Sequence, residues 1–338
     1  MYSLVRPLLF KLDPETAHQL TLRLIRLGNY QPLNFLLRTI YAVPEKPVQA
    51  FGLHFRNPVG LAAGYDKDGL AWRGLATLGF GHIEVGTVTP LPQPGNPKPR
   101  VFRLVEDGAV INRMGFPGLG AECLAAKIRR RKRGGVIVGV NLGKNKDTPL
   151  ENAAGDYIAL MRQFTPLADY LVVNVSSPNT TGLRRLQGRG LLEGLLGAVA
   201  RERQEFAAAG GISTPILVKL APDLSNDELD DALEVIVRNG MDGVIATNTT
   251  LERGGLQSKH AEETGGLSGE PLRVRSESVL HSVVKKLDGR LPVVSVGGIM
   301  RPEHAQARLD AGAKLVQVYT GLVYAGPGLV RQIVKRVS

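Results

Sequence analysis

From Phe51 onward, short apolar runs rich in Val, Ile and Ala alternate with longer stretches whose apolar residues follow helical spacing. This alternation is typical of βαβ units in a parallel sheet. Eight of the runs have strand character, and eight is the number that a closed barrel requires. They cover residues 59–62, 82–87, 136–141, 170–176, 216–220, 243–248, 292–296 and 314–319. The pattern therefore predicts an α/β fold, a (β/α)8 TIM barrel with a short N-terminal α-helical extension.

The extension, residues 1 to about 45, has its own pattern. Asp13 as N-cap, Pro14 at the first helical position and Gly28 just past the end predict one helix. The apolar residues of 33–41 predict a second helix, and a Pro-containing linker follows it. Two apolar helices with arginines among them either cap a core or lie in a membrane interface, with the arginines on anionic headgroups. We therefore expect two units, a helical segment over residues 1–45 and a barrel over residues 46–338.

One connection in the barrel, between residues 87 and 136, is much longer than the others. It begins with a Pro-rich stretch and continues with residues that alternate in polarity about Asp107 and Gly108, as a β-hairpin does. The pattern predicts a helix over residues 117–133 after the hairpin. An insertion at this end of a barrel is a natural cover for a functional site.

Polar and glycine-rich groups are concentrated where the predicted strands end. In order, the strands finish on AAGYDKD, GTVTP, NLGKNKD, NVSSPN, KLAPD, TNTT, VGGI and YTG. Barrels place their functional groups at the carboxyl ends of the strands. A single Asn/Ser/Pro stretch is more often an ordinary turn. It is therefore the repetition at one end of the barrel that predicts a site.

Composition narrows the kind of ligand. The net charge of +11 favours an anionic partner, such as a phosphorylated cofactor, an acidic substrate or an anionic membrane surface. Aromatic residues make up only 5% and are not interleaved with basic ones, so we expect no nucleic acid. The single cysteine, Cys123, excludes an intrachain disulfide, and the histidines have no metal-ligand spacing. No segment has the apolar length of a membrane span, and no signal peptide is recognisable, so we expect neither spanning nor export.

Two features favour a phosphorylated, flavin-like cofactor. Gly297 and Gly298 after the seventh strand, Gly321 after the eighth, and Gly269 offer backbone N–H groups where barrels commonly bind phosphate. Lys219 ends an apolar strand and would be costly to bury without an anionic partner. A flavin ring that turns anionic on reduction would supply that partner. The alternative is a Schiff-base lysine, because burial lowers a lysine pKa.

Neutral amides recur on the predicted strand ends and loops, at Asn112, Asn141, Asn174, Asn179 and Asn248. They suit a flat ligand whose ring alternates C=O and N–H. With Lys67 able to bind a carboxylate, they indicate a small heterocyclic acid. Ser177 has no His or Asp nearby in sequence, so nucleophilic hydrolysis is not indicated. As a general base it would need a dry site and a proton path, for which Thr180 is a candidate.

The motifs in combination resemble one family. They are NPVGLAAGYDKDG, INRMGF, GVNLGKNKDTP, VNVSSPNT, KLAPD, ATNTT, GGLSGEPL and VSVGGI. Together they resemble the class 2, quinone-dependent dihydroorotate dehydrogenases of pyrimidine synthesis, from about Leu12 to the end of the chain. The resemblance implies an FMN barrel that oxidises dihydroorotate to orotate and is reoxidised by a membrane quinone, reached through the N-terminal helices.

The resemblance also implies roles for individual residues, with Ser177 as the base that removes the C5 proton. The substrate would contact Lys67, Asn112, Arg113, Met114, Gly115, Phe116, Asn174, Asn179, Asn248 and Thr249. FMN would contact Ala63, Gly64, Tyr65, Asp66, Lys67, Thr87, Asn141, Asn174, Lys219, Thr247, Gly269, Gly298, Tyr319 and Thr320. The quinone would pass His18, Arg103 and Tyr319. The protein would be a monomer or homodimer, peripheral on the cytoplasmic side of the cell membrane.

Two departures and three alternatives accompany the resemblance. Tyr65 stands where the family usually has leucine, and Thr320 where serine is common. Class 1 members of the family, which are soluble and use fumarate or NAD, have a cysteine as the base, whereas this chain has Ser177. An aldolase-like barrel that uses Lys219, or a non-enzymatic membrane-surface scaffold, would be a protein of another class.

Overall fold

The computed structural model describes residues 2–129, 135–211 and 213–337. A short antiparallel pair, β1 (Val48–Ala50) and β2 (Leu53–Phe55), precedes a closed barrel of eight parallel strands that follow one another in chain order. The barrel strands are β3 (Val59–Leu61), β4 (His82–Val88), β7 (Ile137–Leu142), β8 (Tyr170–Asn174), β9 (Ile216–Leu220), β10 (Gly243–Ala246), β12 (Val293–Val296) and β13 (Leu315–Val318). Their bounds differ from the predicted ones by at most two residues. The predicted (β/α)8 barrel is confirmed.

Nine helices of the described residues follow the strands or connect them. They are α4 (Trp72–Ala76), α5 (Gly120–Ile128), α6 (Ala153–Phe164), α7 (Arg189–Ala208), α8 (Asn226–Arg238), α9 (Arg273–Leu287), α10 (Pro302–Asp310), α11 (Thr320–Ala325) and α12 (Gly328–Arg336). The helix α5 is shorter than the predicted helix over 117–133, and the basic residues 130–133 lie outside the described part of the chain. Cys123 lies half-buried on this helix.

The extension contains three helices, α1 (Tyr2–Lys11), α2 (Pro14–Arg26) and α3 (Leu33–Ile40). The predicted cap of α2 is present, because the Asp13 carboxylate accepts a hydrogen bond from the Thr16 N–H at 2.9 Å. The helix α1 was not predicted: Pro7 interrupts its pattern, and no capping residue marks its start. Tertiary contacts hold it, since Phe10 packs edge-on against Tyr324 with ring centres 5.4 Å apart.

A buried ion pair joins the extension to the barrel insertion. The Arg100 guanidinium donates to both oxygens of the Glu15 carboxylate, at 3.1 and 2.7 Å, and both side chains are buried. Two parallel charge-assisted hydrogen bonds fix the orientation as well as the distance of the partners. The extension is therefore positioned against the mouth of the barrel.

The predicted hairpin is confirmed as β5 (Val101–Leu104) and β6 (Ala109–Asn112). A third strand, β11 (Gly266–Gly269), pairs antiparallel with β6 and was not predicted. It carries Gly269 to the barrel mouth. The resulting three-stranded sheet lies over the carboxyl ends of the barrel strands, as expected for a cover. No helix among the described residues is long and apolar enough to cross a membrane.

Candidate active site

The carboxyl ends of the barrel strands enclose a cavity of about 950 Å³, including its open mouth. This volume lies within the roughly 300–1,000 Å³ of small-molecule sites. Most of the residues proposed from the sequence line it: Ala63, Gly64, Lys67, Thr87, Asn112, Met114, Gly115, Phe116, Asn174, Ser177, Asn179, Lys219, Thr247, Asn248, Thr249, Gly269, Gly298, Tyr319 and Thr320. We call this space the active-site cavity. The residues that follow the barrel strands thus line one cavity, because the strands of a parallel barrel bring their carboxyl ends to the same rim.

Polar side chains in the barrel interior form the floor of this cavity and the layer directly below it. The Asn174 amide donates to Thr87 Oγ1 at 2.9 Å and to Asn141 Oδ1 at 3.0 Å. The Asn141 amide in turn donates to Glu84 Oε1 at 2.7 Å, and Gln317 donates to Glu84 Oε2 at 2.7 Å. All five side chains are buried. Because the Asn174 and Asn141 amides are hydrogen-bonded to residues deeper in the barrel, the Asn174 side chain keeps one orientation at the cavity surface.

Lys219 lies beside Asn174 in the parallel register of β8 and β9. Its side chain is 5% exposed, and it makes no hydrogen bond or ion pair with any residue that the structure describes. Burial lowers the Lys219 pKa, and the more distant Glu84 carboxylate opposes this shift. A buried, unpaired ammonium at a cavity wall is suited to an anionic or electron-rich ligand atom.

A group of glycines forms the opposite wall. Gly298 has φ +69°, and a Cβ built there would lie 2.3 Å from Arg273 Cα. Within the described residues, the backbone N–H groups of Gly298, Thr320 and Gly321 have no acceptor. The Thr320 hydroxyl is hydrogen-bonded to Ser268 Oγ at 2.8 Å. Converging N–H groups and hydroxyls of this kind bind phosphate.

The outer wall carries the groups that we assigned to the substrate. The Asn179 amide donates to Asn112 Oδ1 at 3.2 Å, which links the loop after β8 to the hairpin. The Asn248 amide donates to Ser176 Oγ at 2.9 Å. Lys67 donates to the Gly64 carbonyl at 2.9 Å, and burial, reinforced by the Arg100 charge, lowers its pKa to about 8. The wall thus combines amides with one cation, which matches a small heterocyclic acid.

Ser177 lies between the floor and this outer wall. Its side chain is 6% exposed, and its Oγ accepts a hydrogen bond from the Asn179 N–H at 3.3 Å. The Ser177 hydroxyl has no histidine or carboxylate partner among the described residues. The buried Thr180 hydroxyl, three residues further on, has no hydrogen-bond partner in the described part of the chain. Ser177 is therefore largely shielded from solvent, and Thr180 stays a candidate for the proton path.

Arg184 is a candidate positioning residue that the sequence analysis missed. Its guanidinium donates to the carbonyls of Ser176 at 3.0 Å and Thr249 at 2.7 Å, and to the Asp223 carboxylate at 2.7 Å. It therefore links the segments that follow β8, β9 and β10, next to Ser177. The loop over residues 178–188, for which a mobile lid or a surface loop were the alternatives, is anchored by this arginine and by the buried side chains of Leu183 and Leu186.

A second cavity, of about 1,810 Å³ including its mouth, lies between the extension and the barrel. We call it the helix-lined cavity, because α1, α2 and α3 supply half of its lining residues. His18 and Arg103 line it as predicted, and burial lowers the His18 pKa to about 4. Tyr319, Asn112 and Met114 line both cavities. The two spaces therefore meet at a shared wall.

Four proposed residues do not line the active-site cavity. Asn141 lies one layer below the floor, and Tyr65 lines the helix-lined cavity instead. Asp66 accepts hydrogen bonds from the Leu70 and Ala71 N–H groups, so it shapes the loop. Arg113 points away and pairs with Glu263 at 2.6 Å. Adjacent residues on a strand or tight loop face opposite sides, so a contiguous motif cannot contribute every side chain to one cavity.

Several lining residues were missed: Ala62, Ser268, Leu272, Val296, Ile299, Met300 and Gln317. Gly297 and Gly321, which the sequence analysis proposed as phosphate donors, also line the cavity. Ser268 precedes Gly269 on β11. It was missed because its position in the cavity wall depends on the pairing of β11 with β6, which was not predicted. Gln317 is a buried residue of β13 that faces the barrel interior. The alternation of inward and outward side chains along a barrel strand is the signal that could have identified it.

Comparison with known proteins gives a consistent result. The family model described as "Dihydroorotate dehydrogenase" matches residues 47–338. The protein of Azotobacter vinelandii named dihydroorotate dehydrogenase (quinone) is 50% identical over 100% of this chain and 97% of its own length. A Pseudomonas fluorescens protein of the same name is 49% identical over 100% of this chain and 99% of its own length.

Solved structures extend the similarity to three dimensions. The crystal structure of the Eimeria tenella protein described as DHODH in complex with ferulenol has a TM-score of 0.88 and 38% identity, covering 96% of this chain and 90% of that one. The ligand-free structure from the same organism has a TM-score of 0.87 and 39% identity, covering 96% of this chain and 94% of that one.

Proposed function

The chain belongs to the dihydroorotate dehydrogenase family, and we propose that its two cavities divide a quinone-dependent reaction between them. The protein oxidises dihydroorotate to orotate in pyrimidine biosynthesis, with a quinone as electron acceptor. Dihydroorotate and FMN occupy the active-site cavity, and the quinone enters the helix-lined cavity. The observation that carries this assignment is the shared wall, where Tyr319, Asn112 and Met114 contact both spaces.

The residues of the active-site cavity fit FMN. The glycine wall around Gly298 suits its phosphate, because the backbone N–H groups of Gly298, Thr320 and Gly321 converge without acceptors among the described residues. The Thr320 hydroxyl, which is hydrogen-bonded to Ser268, lies beside them. The unpaired Lys219 ammonium and the oriented Asn174 amide suit the polar edge of its flat ring. When bound, FMN supplies the acceptor for the hydride from C6 of the substrate and passes the electrons to the quinone.

The chain's own residues hold and deprotonate the substrate. Lys67 binds the carboxylate as an ammonium, and the amides of Asn112, Asn179 and Asn248 bind the ring C=O and N–H groups. Ser177 Oγ takes the proton from C5, and the Thr180 hydroxyl passes a proton onward. The floor below Ser177 is built from side chains that are paired with one another, which keeps competing water out of the reaction.

The test compares electron acceptors with the purified, detergent-solubilised full chain. We expect dihydroorotate oxidation with a short-chain quinone and none with fumarate or NAD. Turnover with fumarate or NAD would place the protein with the class 1 enzymes. That outcome is disfavoured because Ser177 stands at the base position and Cys123 does not line the cavity. Absence of flavin, with a substrate adduct on Lys219 trapped by borohydride, would favour the aldolase-like alternative.

We also propose that the extension binds the membrane peripherally, on the cytoplasmic side. Among the residues that the structure describes, eleven of the seventeen large exposed apolar side chains lie between Leu4 and Ile40, and Phe35 is the most exposed of α3, at 71%. Basic residues on the same helices are also exposed, Arg23, Arg26 and Arg38 among them. An apolar patch flanked by cations is typical of an interfacial helix on anionic lipid.

Vesicle flotation tests this attachment with the full chain. Wild type is expected to float with vesicles that contain anionic lipid, and the variant with both Phe35→Gln and Leu36→Gln is expected to float less. Leu251→Gln, at a comparably exposed position on the barrel, is the matched control and should float as wild type does. Equal flotation of all three proteins would refute the assignment of the extension.

A further inference from the structure

Tyr65 is one of the two residues at which this chain departs from the family pattern, and it lies near the junction of the two cavities. Its ring contacts Tyr319 edge-on with centroids 5.5 Å apart, and it contacts His18 edge-on at 4.8 Å. Tyr319 lines both cavities, whereas Tyr65 and His18 line only the helix-lined cavity. The three rings thus form a continuous aromatic row that leads from the helix-lined cavity to the active-site cavity.

The Tyr65 hydroxyl is chemically unsatisfied in this position. The side chain is 5% exposed, yet its hydroxyl makes no hydrogen bond with any residue that the structure describes. Its neighbours differ in this respect, since the Tyr319 hydroxyl donates to the Gly64 carbonyl at 3.3 Å. Tyrosine hydroxyls inside proteins almost always have a partner, because leaving one unpaired costs about 1–3 kcal/mol. The Tyr65 hydroxyl is not among the fully enclosed unpartnered atoms of the described residues, so it is open to the helix-lined cavity, and solvent or a ligand there supplies its acceptor.

The Tyr65 hydroxyl is a neutral hydrogen-bond donor at pH 7, and its neighbour His18 is uncharged. Burial, together with nearby Tyr319, Tyr2 and Asp66, raises the Tyr65 pKa far above its ordinary value, so the hydroxyl keeps its proton. His18 is uncharged, because its pKa is lowered to about 4. The surrounding wall is mainly apolar, with Leu24, Ile25 and Leu322 among its residues, and Arg103 and Glu15 are the charged residues on it. A neutral donor on a mainly apolar wall suits a neutral carbonyl acceptor.

We propose that the Tyr65 hydroxyl donates a hydrogen bond to a carbonyl oxygen of the quinone and thereby sets the affinity and position of the quinone head group beside Tyr319. This inference rests on the proposed function, because it takes the helix-lined cavity to be the quinone site. A leucine at this position would supply the apolar wall without the donor. Tyr65 is thus a specificity-determining residue of this chain.

The test uses Tyr65→Phe, which removes only the hydroxyl, and Tyr65→Leu, which restores the usual family residue. Loss of one neutral hydrogen bond predicts an increase of about tenfold in the KM for a short-chain benzoquinone in both variants. The rate at which dihydroorotate reduces the bound flavin should stay within about twofold of wild type. Quenching of the single tryptophan, Trp72, whose helix borders the cavity at Gly74, gives the quinone dissociation constant without turnover.

Tyr324→Phe is the matched control, because the hydroxyl of this half-buried tyrosine already donates to the Leu104 and Ala109 carbonyls and Tyr324 lines neither cavity. It should lower thermal stability and leave the quinone KM unchanged. A quinone KM and dissociation constant unchanged in Tyr65→Phe would overturn the inference while leaving the proposed function intact. An effect in Tyr65→Leu alone would also overturn it, because ring packing would then be responsible. Failure of the wild type to reduce quinone would refute the proposed function and the inference together.

Discussion

Gly298→Ala tests the phosphate wall of the active-site cavity, and Gly289→Ala supplies a matched control. Both glycines have positive φ, +69° and +76° respectively. A side chain in this region costs about 1–2 kcal/mol, and both variants incur that cost. They differ in their surroundings, since nothing lies within 4 Å of a Cβ at Gly289, whereas a Cβ at Gly298 meets Arg273 Cα at 2.3 Å.

The additional cost at Gly298 follows from how firmly Arg273 is held. Ordinary Cβ contacts begin near 3.4 Å, so the Arg273 backbone has to retreat by about 1 Å. Arg273 is the first residue of α9, and its carbonyl accepts a hydrogen bond from the buried Arg308 guanidinium at 2.7 Å. Overpacking of this kind costs about 1–3 kcal/mol. We expect Gly298→Ala to lower the free energy of unfolding by about 2–5 kcal/mol and Gly289→Ala by about 1–2 kcal/mol.

The assay measures thermal unfolding and FMN content of each purified variant, followed by titration of the apoprotein with FMN. Gly298→Ala should weaken FMN binding at least about tenfold, because the free N–H groups shift away from the phosphate. Gly289→Ala should bind FMN as wild type does, despite its lower stability. If Gly298→Ala bound FMN within about twofold of wild type, the glycine wall would not be the phosphate site.

Three further predictions concern the substrate side of the cavity. Ser177→Ala should retain FMN but reduce the rate of flavin reduction by dihydroorotate about 10²–10⁴-fold at neutral pH, measured by stopped-flow absorbance. Arg184→Gln should raise the KM for dihydroorotate and slow flavin reduction at least about tenfold, because the Ser176 and Thr249 carbonyls lose their charged donor, whereas the quinone KM should not change. Orotate affinity, measured by its perturbation of the flavin spectrum, should be constant below about pH 8 and fall by up to about tenfold per pH unit above it, because Lys67 loses its proton there.

A different result would contradict each of these three predictions. An unchanged reduction rate in Ser177→Ala would remove the serine as base. A quinone KM that rose together with the dihydroorotate KM in Arg184→Gln would point to general loosening of the fold. Orotate binding that stayed constant through pH 9 would show that Lys67 does not hold the carboxylate. The free protein provides an independent check on Lys67: its native pKa lies below that of an unfolded lysine, so its contribution to stability increases as pH rises above about 8.

The sequence by itself determined the barrel, the helix after Asp13 and the hairpin about Asp107 and Gly108. These features depend on signals that act within about 15 residues: apolar periodicity, an N-cap and turn chemistry. Because parallel strands bring their carboxyl ends to one rim, the position of most site residues followed once the strands were identified. That is why Ser177 and Lys219, which lie more than forty residues apart in the chain, were assigned to one cavity.

Only the tertiary structure decided the features that depend on distant partners. The strand β11 forms because β6, about 155 residues earlier, offers an open edge, as the pairing of Gly266 with Asn112 shows. The helix α1 is held by contacts with Tyr324 near the opposite end of the chain. Arg184 and Tyr65 gained their roles from the carbonyls and rings that the fold brought next to them. Local sequence signals carry no information about such partners, because the contacts exist only after the chain has closed long loops.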